Sequence, residues 1–182
     1  ADELGAYLEQ RGQDLDAIID VASTLRHQRL YHEALATYDL GERWFPNDRY
    51  IWNNRGVVNR DWGRLNEAVA AFEHALEIEP HYSKALEGRS ESLLLRGDFA
   101  EALAGFREVV DKHPDQAITW RNLAIALSGA SKLQESIEAY ERSLALAPND
   151  TQTLFDYAGT LAQANRPDDA TTILDRLLKL DA

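Results

Sequence analysis

Arg26, His27, Asn53, Asn54, Arg60 and Lys84 are the side chains in this sequence best equipped to grip another molecule. They offer guanidinium, imidazole, amide and ammonium donors, a set suited to a carboxylate or an acidic side chain through charge-assisted hydrogen bonds. Most of them lie in stripes. Asp16, Ile19, Ser23 and Arg26 are spaced three, four and three apart, as are Tyr50, Asn53, Val57 and Arg60, then Lys84, Glu87, Glu91 and Leu94. That spacing puts each set on one face of a helix. Further along, the same stripe carries Ile118, Arg121 and Ile125, then Gln152, Phe155 and Gly159, with Asn122 beside it. Leu94, Leu95, Ile118, Ile125 and Phe155 make this later part suited to apolar anchors.

No catalytic set assembles around these residues. The five histidines, His27, His32, His74, His81 and His113, are scattered and lack metal-ligand spacing. With no cysteine in the chain, thiol nucleophiles, thiolate zinc sites and disulfides are excluded. The glycines are mostly single and fall at helix junctions, so no phosphate-binding loop is written here. Asn149-Asp150-Thr151 is a formal glycosylation triplet, a pattern that arises often by chance. The expectation is a protein that is not an enzyme, without cofactor or metal.

Composition narrows the partners. The 182 residues include 31 acidic and 19 basic ones, for a net charge of −12. A phosphate-backbone binder needs a basic face, so nucleic acid is not expected. No apolar run reaches the length of a membrane span. The chain starts at Ala1 and contains no methionine, which fits a processed protein, one cleaved after a signal peptide, or an excised piece. A cytoplasmic setting is slightly favoured, with periplasmic or secreted ones left open.

What positions the stripes is a repeat. Pro46, Pro80, Pro114 and Pro148 stand 34 residues apart each time. A fixed period of about 20–50 residues marks a repeat array. The frame gives units 15–48, 49–82, 83–116, 117–150 and 151–182, preceded by a short capping helix within residues 1–14, at about 2–11. Each unit reads as two helices, at about 49–61 and 65–78 in the second unit. The prolines stop the second helices. Arg29, Gly63, Gly97, Ser131 and Asn165 occupy the turns within the pairs, where a left-handed residue ends a helix. Glu33, Glu67, Glu101, Glu135 and Asp169 place a carboxylate in the first turn of each second helix, where the helix dipole favours it.

Aligned in this frame, two columns hold only small residues: Ala22, Gly56, Ser90, Ala124 and Ala158, and Ala34, Ala68, Ala102, Ser136 and Ala170. Two others are mostly large: Ile18, Trp52, Leu86, Trp120 and Leu154, and Tyr38, Phe72, Phe106, Tyr140 and Leu174. One small column per helix is what a close antiparallel contact requires.

Trp52, Gly56, Leu65, Ala68, Phe72, Ala75 and Pro80, with Trp120, Ala124, Tyr140 and Pro148, resemble the consensus of the tetratricopeptide repeat. The resemblance covers residues 15–182. It implies an all-α, right-handed α-solenoid of antiparallel helix pairs whose concave groove is lined by the first helices. That groove would take a peptide or helix of a protein partner, through Arg26, His27, Tyr50, Asn53, Asn54, Val57, Arg60, Lys84, Leu94, Ile118, Arg121, Asn122, Ile125 and Phe155. A chaperone-tail clamp is incomplete, since Asn54 and Lys84 match two of its places while Ile19, Ser23 and Gly88 fill the others. An asparagine ladder like that of sugar-transferring enzymes is broken by Asp20, Gly88 and Asp156. The alternative function is a substrate-recruiting or assembly fragment of a larger enzyme or secretion machine.

Ile173, Leu174, Leu177, Leu178 and Leu180 make the final helix strongly apolar, with no following helix to cover it. Self-association as a homo-oligomer through this face is therefore an expectation as well.

The small columns yield a test. Ala68→Leu or Ala102→Leu is expected to cost about 1–3 kcal/mol through overpacking. A thermal melt unchanged by both would refute the helix pairing.

Overall fold

The computed structural model describes residues 14–180. Within them the chain forms α1 (Leu15–His27), α2 (Tyr31–Trp44), α3 (Arg49–Asp61), α4 (Leu65–Ile78), α5 (Ser83–Arg96), α6 (Phe99–Lys112), α7 (Ala117–Gly129), α8 (Leu133–Leu146), α9 (Thr151–Gln163) and α10 (Pro167–Leu180). The described residues contain no strand. Helix starts recur every 34 residues in both series, at 15, 49, 83, 117 and 151 and at 31, 65, 99, 133 and 167. The capping helix expected within residues 1–14 lies outside the described residues except for Asp14. The chain divides into two compact units, one through Ser92 and one from Leu93, with the boundary inside α5.

Local chemistry explains the helix limits. Asp14, Asp48 and Asp150 cap α1, α3 and α9, each accepting from backbone N–H groups of the first turn. These donors have no partner within the helix itself. The turns inside the helix pairs use the left-handed conformation, at Arg29 (φ 61°), Gly63 (81°), Gly97 (92°), Ser131 (61°) and Asn165 (59°). In the first of them, Arg29 N–H donates to Arg26 O at 2.9 Å and Leu30 N–H to Leu25 O at 2.9 Å. The same pair of bonds closes α3 and α7, a Schellman ending that satisfies carbonyls the helix leaves open.

Within the second unit the direction of pairing can be read from side chains. Ser136 Oγ donates to Ala124 O at 2.7 Å, and Ser143 Oγ to Ala117 O at 2.9 Å. As one helix ascends the other descends, so α7 and α8 are antiparallel. Residues 124 and 136 belong to the two small columns, which therefore meet backbone to side chain.

In the first unit Phe72 is fully buried. A Cβ built on Gly56 would lie 2.7 Å from its ring, and one on Gly88 would lie 2.4 Å from it. The ring fits because both neighbouring helices lack a side chain there. Ala34 and Ala68 in this unit, and Ala102, Ala124 and Ser136 in the other, are wholly buried. Asn59, at the place that Leu25, Leu93, Leu127 and Leu161 hold in the other repeats, is buried too and donates Nδ2 to Arg55 O at 3.1 Å. Each unit is thus a stack of helix pairs on the all-α plan of an α-solenoid.

The proline ladder has a second use. Trp52 Nε1 donates to Pro46 O at 3.4 Å and Trp120 Nε1 to Pro114 O at 2.9 Å. In the last repeat Leu154 replaces the tryptophan, and Arg176 donates to Pro148 O instead.

The buried phenols give a test. Burial pushes the hydroxyls of Tyr38 and Tyr157 up to about 12 and raises that of Tyr140 as well. An unfolded phenol titrates at ~10. The folded state therefore keeps protons that the unfolded chain loses, so stability is complete below that value and lost as pH rises through about 12. Urea midpoints are expected to hold near neutrality and fall steeply above pH ~10. Tyr157→Phe should soften the fall.

Candidate functional site

In the first unit, α1, α3 and the part of α5 through Glu91 bring one face together around a cleft of about 530 Å³. Seven of the side chains expected on a binding face line it: Arg26, Tyr50, Asn53, Asn54, Val57, Arg60 and Lys84. His27 does not. It sits exposed at the end of α1, with Nδ1 2.7 Å from Ser23 O and Nε2 3.2 Å from Arg26 Nη2.

The electrostatics of this cleft differ from what the donors alone suggested. Arg26 Nη1 lies 2.6 Å from Asp61 Oδ2, and Arg60 is paired with Glu91. The guanidinium groups expected to hold an incoming carboxylate already hold one each. What stays without a hydrogen-bond or ionic partner among the described residues is Lys84 and Asn54. Asn53 is 7% exposed, and its Oδ1 is buried with no hydrogen-bond partner. Tyr50 is fixed at the rim by Arg49, whose Nη2 donates to the Tyr50 hydroxyl at 2.8 Å and whose guanidinium lies 4.6 Å from the ring centroid.

Two cleft residues were missed by the stripe reading. Tyr82 meets Tyr50 edge to face at 5.9 Å from the turn before α5, outside any helical stripe. Gly88 also lines the cleft, and a residue without a side chain gives a stripe reading nothing to find.

In the second unit Ile125 and Phe155 line a cleft of about 590 Å³. Leu174, expected on a self-association face, lines the same cleft. So does Asp156, which the sequence offered only as a break in an asparagine column. The other expected residues lie elsewhere. Ile118 is exposed, Leu94 half-buried and Asn122 buried. Arg121 donates from Nη1 to Gln152 Oε1 at 2.9 Å, with Asp150 Oδ2 at 3.8 Å. Of the final helix, Ile173 and Leu177 are half-buried, while Leu174, Leu178 and Leu180 are exposed.

His27 and His74 make local contacts and are not gathered with the other histidines. The His74 ring lies 4.0 Å from Trp52, and its Nδ1 lies 3.2 Å from Glu77 Oε2. Among the described residues no three His, Asp or Glu side chains form a metal-holding group. No helix among them is long and apolar enough to cross a membrane.

Repeat period, paired helices, small-against-large packing and first-helix clefts point one way, and sequence models agree. Three models described as tetratricopeptide repeat match residues 50–82, 83–149 and 127–182. The chain belongs to the tetratricopeptide-repeat family. Among curated relatives, it is 25% identical over 153 residues to the Hordeum vulgare protein named "Probable UDP-N-acetylglucosamine–peptide N-acetylglucosaminyltransferase SPINDLY", covering 79% of this chain and 16% of that one. The chain therefore spans about a sixth of the length of that relative. Among solved structures, MamA (41 to end) from Desulfovibrio magneticus RS-1 matches with a TM-score of 0.87 at 20% identity, over 91% of this chain and 94% of that one. YrrB, described as a TPR protein with an unusual peptide-binding site, matches with a TM-score of 0.80 at 18% identity, over 96% and 90%. At such identities the two structures establish a shared fold.

Proposed function

We propose that this TPR protein is a non-catalytic interaction module that holds a peptide or helix of a protein partner against its first-helix faces. The observation that carries this reading is the polar imbalance of the first unit's cleft. Its arginines are neutralised by Asp61 and Glu91, yet Lys84 and Asn54 project there without partners and Asn53 keeps a buried, unbonded Oδ1. A buried unmade bond costs about 1–3 kcal/mol. An amide side chain offers both a donor and an acceptor, which match the alternating N–H and C=O groups of a polypeptide backbone. Membership of the family supports the same reading, and so does the peptide-binding site named for YrrB.

A second reading draws on the last helix, where Leu174, Leu178 and Leu180 are 39%, 66% and 41% exposed. These residues support self-association through a homo-oligomeric contact. The match to one part of a much longer relative also supports recruitment of substrate by a larger enzyme or assembly machine.

Peptides selected from a random phage-displayed library are expected to lose affinity ~10-fold for the Asn54→Ala/Lys84→Ala double variant. They should bind Ala70→Ser, on the exposed face of α4, as they bind the parent. Unchanged affinity in the double variant would move the site elsewhere. Light scattering over a range of concentrations tests the second reading. Leu178→Glu should convert an oligomer to a monomer, and a parent that is monomeric throughout removes self-association.

A further inference from the structure

The two clefts differ in the charge they leave unanswered. In the first unit each arginine lining the cleft has a carboxylate partner. In the second unit a carboxylate stands alone. Asp156, next to Phe155 on α9, has no hydrogen-bond or ion-pair partner among the described residues. The nearby cation is committed elsewhere, because Arg121 points its Nη1 to Gln152 Oε1 at 2.9 Å and toward Asp150. The helix α9 itself contains no Lys or Arg.

Neutral side chains surround this carboxylate in the cleft, with Ser128, Tyr140, Thr160 and Gln163 as the polar ones. Ile125, Phe155 and Leu174 line the same cleft of about 590 Å³, and the Phe155 side chain is 65% exposed. Partial burial raises the Asp156 carboxyl above the usual range; Arg121 offsets this and Asp150 adds to it. A charge held against apolar surface has lost part of its hydration and gains from an incoming counter-charge. The exposed aromatic ring beside it can also receive a cation on its face.

We propose that the second unit's cleft binds a polypeptide segment in which an apolar side chain adjoins a lysine or arginine, the apolar group covering Phe155 and Leu174 and the cation pairing with Asp156. This rests on the interaction-module reading and gives it a chemistry: the ligand is basic and apolar, where the donors in the sequence suggested an acidic one. The occupant is a partner segment, and the cleft discriminates by charge complementarity.

Three fluorescein-labelled synthetic peptide pools test this. They are identical except that a central Leu-Xaa-Leu triplet carries Lys, Ser or Glu. Each is titrated by anisotropy against the full chain and against Asp156→Asn and Phe155→Ser, with circular dichroism melts to confirm folding. The chain's net charge of −12 favours cations everywhere, so the quantity read is the change between parent and Asp156→Asn. The Lys pool should bind ~10-fold tighter than the Glu pool, with the preference shrinking to ~2-fold in Asp156→Asn. All three pools should weaken in Phe155→Ser. Added salt should weaken the Lys pool and spare the Ser pool, a readout independent of any variant. Binding with no Lys preference, or with one that Asp156→Asn leaves intact, overturns the basic requirement and spares the interaction module. Binding by none of the pools overturns both. Self-association of the parent that no pool displaces gives the cleft to a second copy and overturns the proposal.

Discussion

An aromatic ring wedged between helices that have no side chain to spare is the constraint on which the first unit depends. Phe72 has room only because Gly56 and Gly88 face it from α3 and α5. Contact this close forces small residues into the columns on either side and large ones into the spaces between. In the second unit the same demand appears as a hydrogen bond, with Ser136 reaching the backbone of Ala124. Turns and caps then follow from the need to bring two such helices back to back. A left-handed residue ends the first helix and starts the return within three residues, and an aspartate at the head of several pairs takes up loose N–H groups.

Close packing on one side of each first helix leaves the opposite side free for polar chemistry. There, residues of successive repeats come near enough to pair, as Arg26 does with Asp61 and Arg121 with Gln152. These contacts are partly exposed, so each contributes little to stability. Their larger effect is on charge available to a visitor. In the first unit they leave amides and one ammonium group unengaged. In the second they engage Arg121 with Gln152 and leave Asp156, beside Phe155 and Leu174, without a hydrogen bond or ion pair among the described residues.

Nearly all of the helical frame was legible in the sequence, because four prolines and two columns of small residues repeat with one period. The helices Arg49–Asp61 and Leu65–Ile78 lie where the stripes placed them, and all five junction residues take the left-handed conformation expected. The clefts were legible only in part. Stripes show which residues share a face of one helix, so all the lining residues of the first cleft except Tyr82 and Gly88 could be named in or beside them. They do not show what the next helix presents to that face. The pairing of Arg60 with Glu91 joins residues 31 apart, and neither alone signals that the other will neutralise it. Tyr82 was invisible because it reaches the cleft from a turn. Asp156 stood in a column with Asn54 and Asn122, and that alignment was the one signal that could have found it.

The pairing between first helices also says something about how such an array can change. Arg26 meets Asp61, but one period beyond Asp61 the chain has Leu95; Arg60 meets Glu91, and one period beyond that stands Ile125. Excising or duplicating a whole 34-residue unit would preserve every cap, junction and packing column. Excising the second repeat would set Arg26 against Leu95 and excising the third would set Arg60 against Ile125, while duplicating the second would set Arg60 against a copy of Val57. The repeats are alike in shape but carry individual addresses. Moving a repeat along the chain would therefore keep the packing and change which charges meet between neighbouring first helices.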